Sequence, residues 1–305
     1  MDIFLVIALG EVPRILSLID RDADSPTFGC GDRHYWHYKL IDFPNVRFQE
    51  ACLLLSLLHE NRLADGRYHH NPNVKKWVGG LIDFWFRIQR RNGSFDEVYP
   101  YENSFCATSF STWAVSECMV MMKDVYSHRI TKAGEWLMKN QNPQVANQMA
   151  AAALALRNVH QLTGQSSFLE GAQKKIDLLL AAQNDDGFFP EYGGCDIGYL
   201  SITLSLLALY WRRSEDERLE EPLRRARAFL ESSLDENGDF DNSGTSRKTK
   251  FIYPLGLKLL GSTAVSALEN GLKQNLILNP SWMDDRYVIP FASDYIMTCL
   301  EGERN

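Results

Sequence analysis

Apolar residues recur along the chain with a helical period, in two alternating styles. In the first they form a single stripe. Phe168, Leu169, Ala172, Ile176, Leu179 and Leu180 share one helical face, with Gln173, Lys174, Lys175 and Asp177 opposite. Leu219, Leu223, Ala226, Phe229 and Leu230 repeat the stripe against Glu220, Glu221, Arg224 and Arg225. In the second style a segment is apolar nearly all round, as in 197–209 and 148–156. Such a helix has to be buried on every side, whereas a striped one lies at a surface. The alternation predicts a wall of outer helices around a ring of inner ones. Six pairs fit the length. Outer members are expected near 3–20, 74–90, 128–140, 167–182, 215–233 and 263–277. Inner members are expected near 46–60, 106–122, 146–162, 198–211, 249–260 and 287–300. No stretch calls for a strand longer than a few residues, so the expectation is one all-α domain over 1–305.

The joints between helices repeat as well. Gln89, Gly93 and Phe95 form a Gln-x3-Gly-x-Phe unit, and Gln183, Gly187 and Phe189 form another. A third copy keeps Gly238 and Phe240 but has Leu234 in the Gln position. A degenerate copy runs from Trp136 to Gln141 and turns at Asn142-Pro143. Gln89, Gln141 and Gln183 lie roughly 50 and roughly 40 residues apart, the length of a helical hairpin with its two loops. Gly permits the backbone of a tight turn. Gln can satisfy orphaned helix-end groups, and Phe packs between neighbours.

This unit resembles the QW-type repeat of squalene and oxidosqualene cyclases, with Phe in place of Trp. The outer and inner alternation is similar, more broadly, to the α/α-toroids. These include protein prenyltransferase β-subunits, polysaccharide lyases, glucuronyl C5-epimerases and several glycoside hydrolases. The resemblance covers about 74–260 by repeat and the remainder by helix order. It implies an (α/α)6 barrel of about six helical hairpins, with the working end where the outer-to-inner loops emerge. The cyclase acid motif DxDD is absent, as is DDxxD, so the likeness to cyclases stops at the repeat.

Composition narrows the partners. Hydrophobic residues make up 45% and charged ones 23%, and the formal charge is −7. An acidic chain without a Lys/Arg cluster does not suit nucleic acid or an anionic membrane. The apolar run from Ile3 to Leu9 is far shorter than the ~20 residues of a membrane span. It follows Asp2 rather than a basic segment, so it reads as an amphipathic first helix and not a signal peptide. The six cysteines show no metal-ligand or redox spacing, and Cys52, Cys118 and Cys299 lie in apolar helical runs. A reducing, cytoplasmic setting is expected. No P-loop, no GxGxxG after a strand and no GxSxG occurs, so no cofactor is called for.

In a toroid, the N-termini of all inner helices face one mouth, where helix dipoles favour an anionic ligand. The longest loop there, Arg21 to Asn45, carries Asp32, Arg33, His34, Tyr35, Trp36, His37, Tyr38 and Lys39. Loops of that length are uncommon without a reason. Titratable and aromatic groups together suit a sugar site or a lid; the alternative is a surface strap stapled by Trp36 and Tyr38. His34 and His37 have helical metal-ligand spacing, but no third ligand accompanies them, and the reading assigns no metal. Further candidates are Glu97, Tyr99, Tyr101 and Glu102 in the second loop and Asn147 at the third inner helix. Glu191, Tyr192, Asp196 and Tyr199 stand in the fourth loop, and Arg286 and Tyr287 at the sixth inner helix. Each acid taken alone also suits a helix cap, Asp196 above all.

The leading expectation is a carbohydrate-active enzyme acting on an acidic or uronate-containing oligosaccharide, as lyase or C5-epimerase. Both reactions remove the proton α to a carboxylate, which needs a neutralising cation or donor and a nearby base. Arg33, Arg286 or Asn147 suit the first task, and His34, His37, Tyr99 or Tyr199 the second. A two-carboxylate glycoside hydrolase using Asp32, Glu97, Glu102, Glu191 or Asp196 is the alternative. A terpene-cyclase-like enzyme and a non-catalytic helical platform remain beside it.

Overall fold

The computed structural model describes residues 2–123 and 128–302. Its outer helices are α1 (Ile3–Leu18), α4 (Pro72–Ile88), α6 (Thr131–Lys139), α8 (Ser166–Ala182), α10 (Glu220–Ser233) and α12 (Val265–Lys273). The inner ones are α3 (Ala51–Glu60), α5 (Phe105–Met122), α7 (Ala146–Thr163), α9 (Ile197–Ser214), α11 (Leu255–Leu259) and α13 (Asp285–Gly302). One short helix, α2 (Arg33–Trp36), interrupts the first long loop. Among the described residues the only β-pairing is two isolated bridges, both involving Glu191.

The inner helices pack side by side in chain order, and α13 closes the ring against α3. Their burial follows from composition: every residue of α5 from Ala107 to Met119 is buried, as is α7 from Ala146 to Leu156. The striped helices dock one face only. In α10 the buried set is Leu223, Ala226 and Leu230, a spacing of three and four. Each of α4, α8 and α10 seats on the inner helix before it in the chain, and α1 seats on α13. The first helix therefore covers the seam that the last one makes.

The repeat holds these layers together. Gln89 Nε2 donates to the carbonyl of Gly93 at 3.1 Å. Gln183 Nε2 donates to Gly187 O at 2.7 Å and to Pro222 O, in the next outer helix, at 2.9 Å. The glutamine thus clamps its own turn rather than the end of its own helix. Gly93 has φ +98°, and a Cβ there would lie 2.1 Å from the carbonyl oxygen of Lys132 in α6. Gly238 stands in the same relation to Ala267 O, also at 2.1 Å. Only glycine lets the turn approach the next outer helix this closely. In the degenerate copy, buried Lys175 of α8 instead donates its Nζ to Asn140 O.

The fifth inner helix departs from expectation. Residues 249–254 form no regular secondary structure, and α11 begins only at Leu255. Pro254 disfavours helical geometry at Tyr253, the residue before it. The backbone donors of this stretch are taken by neighbouring inner helices. Ser201 Oγ accepts from Tyr253 N at 2.9 Å, Ser205 Oγ from Gly256 N at 2.9 Å, and Asp294 Oδ1 from Leu255 N at 3.2 Å.

Candidate active site

The ring encloses a cavity of about 230 Å³ that opens at the N-termini of the inner helices. The unpaired helix-end N–H groups expected there are largely taken by caps. Ser104 Oγ accepts from Ala107 N at the start of α5, and Asp196 Oδ1 accepts from Tyr199 N at α9. Asp284 Oδ1 accepts from Arg286 N and Tyr287 N at α13. The cationic character of the mouth therefore comes from side chains.

Three arginines line it: Arg47 just before α3, Arg247 in the loop before α11, and Arg286 in the first turn of α13. Arg286 forms an ion pair with Glu97, and Arg47 Nη1 stands 4.0 Å from the same carboxylate. Arg47 also pairs with Glu50, donates to Cys106 Sγ at 3.3 Å, and lies 4.4 Å over the Phe110 ring. Arg247 lies 4.5 Å over the ring of Tyr192. Burial pushes the Cys106 thiol up against the opposing pull of Arg47, so it stays protonated.

Phenols and amides complete the upper wall. Asn147 and Gln148 begin α7, Tyr199 begins α9, and Tyr192 precedes it. Tyr253 and Tyr287 complete the wall. Gln148 Nε2 and the Tyr192 hydroxyl are 3.5 Å apart. Burial raises the Tyr192 phenol, while the Arg247 charge and the Gln148 donor act in the opposite sense. Tyr199 is raised well above the ordinary phenol range by burial and by neighbouring Tyr287, with Arg247 again opposing.

Two buried acids shape the wall. Glu191 is fully buried and accepts from Asn147 N at 2.9 Å, Asn147 Nδ2 at 2.7 Å and Thr203 Oγ1 at 2.7 Å. It caps α7 from outside, where Val145 at the cap position offers no side-chain oxygen. Burial nevertheless pushes its carboxyl up to about 8. Asp294, deep in α13, lines the cavity itself and is likewise pushed up to about 8 by burial.

Of the residues picked out in the sequence, Glu97, Asn147, Tyr192, Tyr199, Arg286 and Tyr287 line this one cavity. Glu102 lies behind it, accepting from Glu97 N and, at 2.7 Å, from Val98 N, and so holds the loop that presents Glu97. Asp196 binds the 245–249 loop, accepting from Arg247 N and Thr249 N at 3.2 Å each. Tyr99 and Tyr101 point to solvent, 68% and 76% exposed.

The first loop does not reach the lining. Trp36 Nε1 donates to Leu18 O at 2.7 Å and Arg33 Nη1 to Ser17 O at 3.0 Å, satisfying carbonyls at the end of α1. Asp32 caps α2, accepting from His34 N at 3.0 Å and Asn45 N at 2.9 Å. His37 and Tyr38 meet edge to face at 4.9 Å, and both are exposed, as is Lys39. Tyr35 is half-buried within the same strap. His34, 3.7 Å from Asp32 Oδ1, joins Arg286 and Val98 in a shallow depression outside the mouth. This is the strap arrangement. Among the described residues no group of three or more His, Cys, Asp or Glu side chains is placed to hold a metal ion.

Arg47, Gln148, Trp113 and Asp294 line the cavity without having been picked out as site residues. Asp294 carried a signal, as a lone acid within the apolar run 287–300. Phe110 and Trp113 carried another, since with Cys106 they share one face of α5.

No protein-family model and no curated protein matches the chain. Solved structures do. A family 76 glycoside hydrolase from a bovine Bacteroides thetaiotaomicron strain superposes with a TM-score of 0.60 at 12% identity, over 99% of this chain and 78% of that one. A polysaccharide lyase gives 0.51 at 11% identity, over 86% and 79%. A Paenibacillus xanthan lyase gives 0.56 at 12% identity, over 96% of this chain but 30% of that longer one. The chain is an α/α-toroid. At these identities the likeness is one of fold. None of the described helices is long and apolar enough to cross a membrane.

Proposed function

We propose that residues 1–305 form one toroid domain with the activity of a carbohydrate-active enzyme, whose substrate is an acidic oligosaccharide bound in the central cavity. The observation that carries this reading is the convergence of Arg47, Arg247 and Arg286 on a mouth walled by four tyrosines. Guanidinium groups recognise carboxylates by paired hydrogen bonds, and aromatic faces and amides suit a sugar ring.

The reaction is removal of the proton α to the uronate carboxylate, as lyase or C5-epimerase. Arg286 and Arg47 neutralise the carboxylate, which stabilises the charge that develops when C5–H breaks. Tyr192 is the base by position, with Arg247 4.5 Å over its ring and Gln148 Nε2 3.5 Å from its hydroxyl; burial raises its phenol, and these two groups oppose that rise. In elimination Tyr192 takes the C5 proton, the C5–H electrons form the C4=C5 bond, the C4–O bond breaks, and the departing oxygen takes a proton from the neutral Tyr199 phenol. In epimerisation a proton returns to the opposite face from a neutral phenol, a state in which burial holds Tyr199. Glu191 acts through Asn147 as a positioning residue.

A second reading has its own observation. Asp294 lines the cavity with its proton held to about 8, while Glu97 is ion-paired with Arg286. A protonated acid and an ionised carboxylate are the two parts of a glycoside hydrolase. The solved neighbours include both a hydrolase and lyases. Incubation with a panel of acidic oligosaccharides separates the readings. A rise in the ultraviolet absorbance of an unsaturated uronate supports elimination; reducing ends without that rise transfer the assignment to Asp294 and Glu97.

A further inference from the structure

The lower half of the cavity differs in kind from its mouth. Below the arginines the lining is Ile202, Leu206, Leu209, Leu255, Pro290 and Met297. Met297 lies about 16 Å below Arg286 along α13, at the rise of a regular helix. The two polar groups at this depth are already engaged, Ser205 with Gly256 N and Asp294 with Leu255 N. A sugar ring lowered here would lose water from its hydroxyls and find few partners. Trp113 lines the cavity and is 7% exposed, and its indole N–H has no hydrogen-bond partner among the described residues.

We infer that the cavity takes a two-part ligand, a carboxylate-bearing head at the arginine rim joined to an apolar tail that fills the floor. The head is the acidic sugar of the proposed function, and the inference rests on that reading for its identity. The tail is an alkyl or aryl aglycone. An aliphatic carboxylate shares the same head-and-tail chemistry, and the test separates the two sources.

The test is calorimetric titration of the intact chain with hexyl glucuronide, free glucuronate, hexyl glucoside and octanoate. Hexyl glucuronide is expected to bind at least about tenfold more tightly than glucuronate, given the apolar surface its tail buries, and to exceed hexyl glucoside and octanoate as well. Equal affinity for glucuronate and its hexyl conjugate overturns the tail while leaving the acidic-sugar reading standing. Equal affinity for hexyl glucoside overturns the carboxylate head. Octanoate binding as tightly as the conjugate keeps the two-part ligand but makes its source a lipid, and the acidic-sugar reading falls. Binding by none of the four overturns both.

Discussion

Arg286, in the first turn of the last inner helix, is ion-paired with Glu97, which stands in the loop before the second. The pair spans the cavity mouth and places an ionised carboxylate beside the cation assigned to hold the substrate. Substrate carboxylate and Glu97 therefore compete for one guanidinium. Glu97→Gln removes the competing charge while keeping the shape of the side chain. In the lyase or epimerase reading, the variant keeps turnover and lowers KM, by roughly three- to tenfold for a single screened charge. In the hydrolase reading it loses activity by a factor of about 100 or more. Steady-state kinetics on an acidic oligosaccharide distinguishes the two.

The buried acids make stability depend on pH with a definite sign. Asp294 has its carboxyl raised by burial from 3.8 to about 8. An acid raised in this way stabilises the fold fully below its unfolded pKa, and that contribution is lost as pH rises through about 8. Asp294→Asn keeps an oxygen for Leu255 N and removes the titration. The fall in Tm between about pH 5 and about pH 9 should then be smaller in the variant than in the parent, as expected for a stability term on the order of a few kcal/mol. Thermal unfolding followed by circular dichroism at the two pH values measures it. An undiminished fall would show that Asp294 is not held protonated.

Glu191 and Asn147 form a unit in which one side chain fixes the other. Glu191→Ala leaves the Asn147 N–H, its amide and the Thr203 hydroxyl without their buried acceptor, at a cost of about 3–6 kcal/mol for three orphaned donors. It also frees the Asn147 amide to leave the cavity wall. The expected kinetic signature is a KM raised more than kcat is lowered, since Glu191 does not itself line the cavity. A loss confined to kcat would instead make it a participant in the chemistry.

The repeat turns are the places where the ring is least tolerant of change. Gly93→Ala puts a Cβ against Lys132 O in a backbone conformation of φ +98°. Destabilisation should reach about 3 kcal/mol or more, because both the neighbouring helix and the turn have to move. Gln183→Ala removes two hydrogen bonds and should cost about 1–3 kcal/mol. Denaturant titration measures both, and the expected order is Gly93→Ala more severe than Gln183→Ala.

The ring was legible in the sequence because burial writes itself into composition. Helices α5, α7 and α9 are apolar on every side, α8 and α10 on one, and that contrast alone assigns inner and outer layers. The break at 249–254 was less legible, since its cause is shared between Pro254 and hydrogen-bond acceptors on α9 and α13. The site was legible where a residue stands at the N-terminus of an inner helix, as Asn147, Tyr199 and Arg286 do. It failed for the strap from Arg33 to Lys39, whose polar and aromatic groups resemble a binding loop but serve the carbonyls at the end of α1. It also failed for Trp113 and Asp294, which enter the cavity one or more helical turns below the mouth. A linear reading of loops does not look that deep.

In the proposed reaction an acidic sugar loses its C5 proton between the arginines and the tyrosines. The most direct measurement is the proton NMR signal of C5–H on an acidic oligosaccharide incubated with the protein in heavy water. Loss of that signal is predicted, by exchange if the enzyme epimerises and by elimination if it is a lyase, and it should be abolished in Tyr192→Phe. An intact C5–H signal alongside new reducing ends would contradict the claim and assign the cavity to hydrolysis.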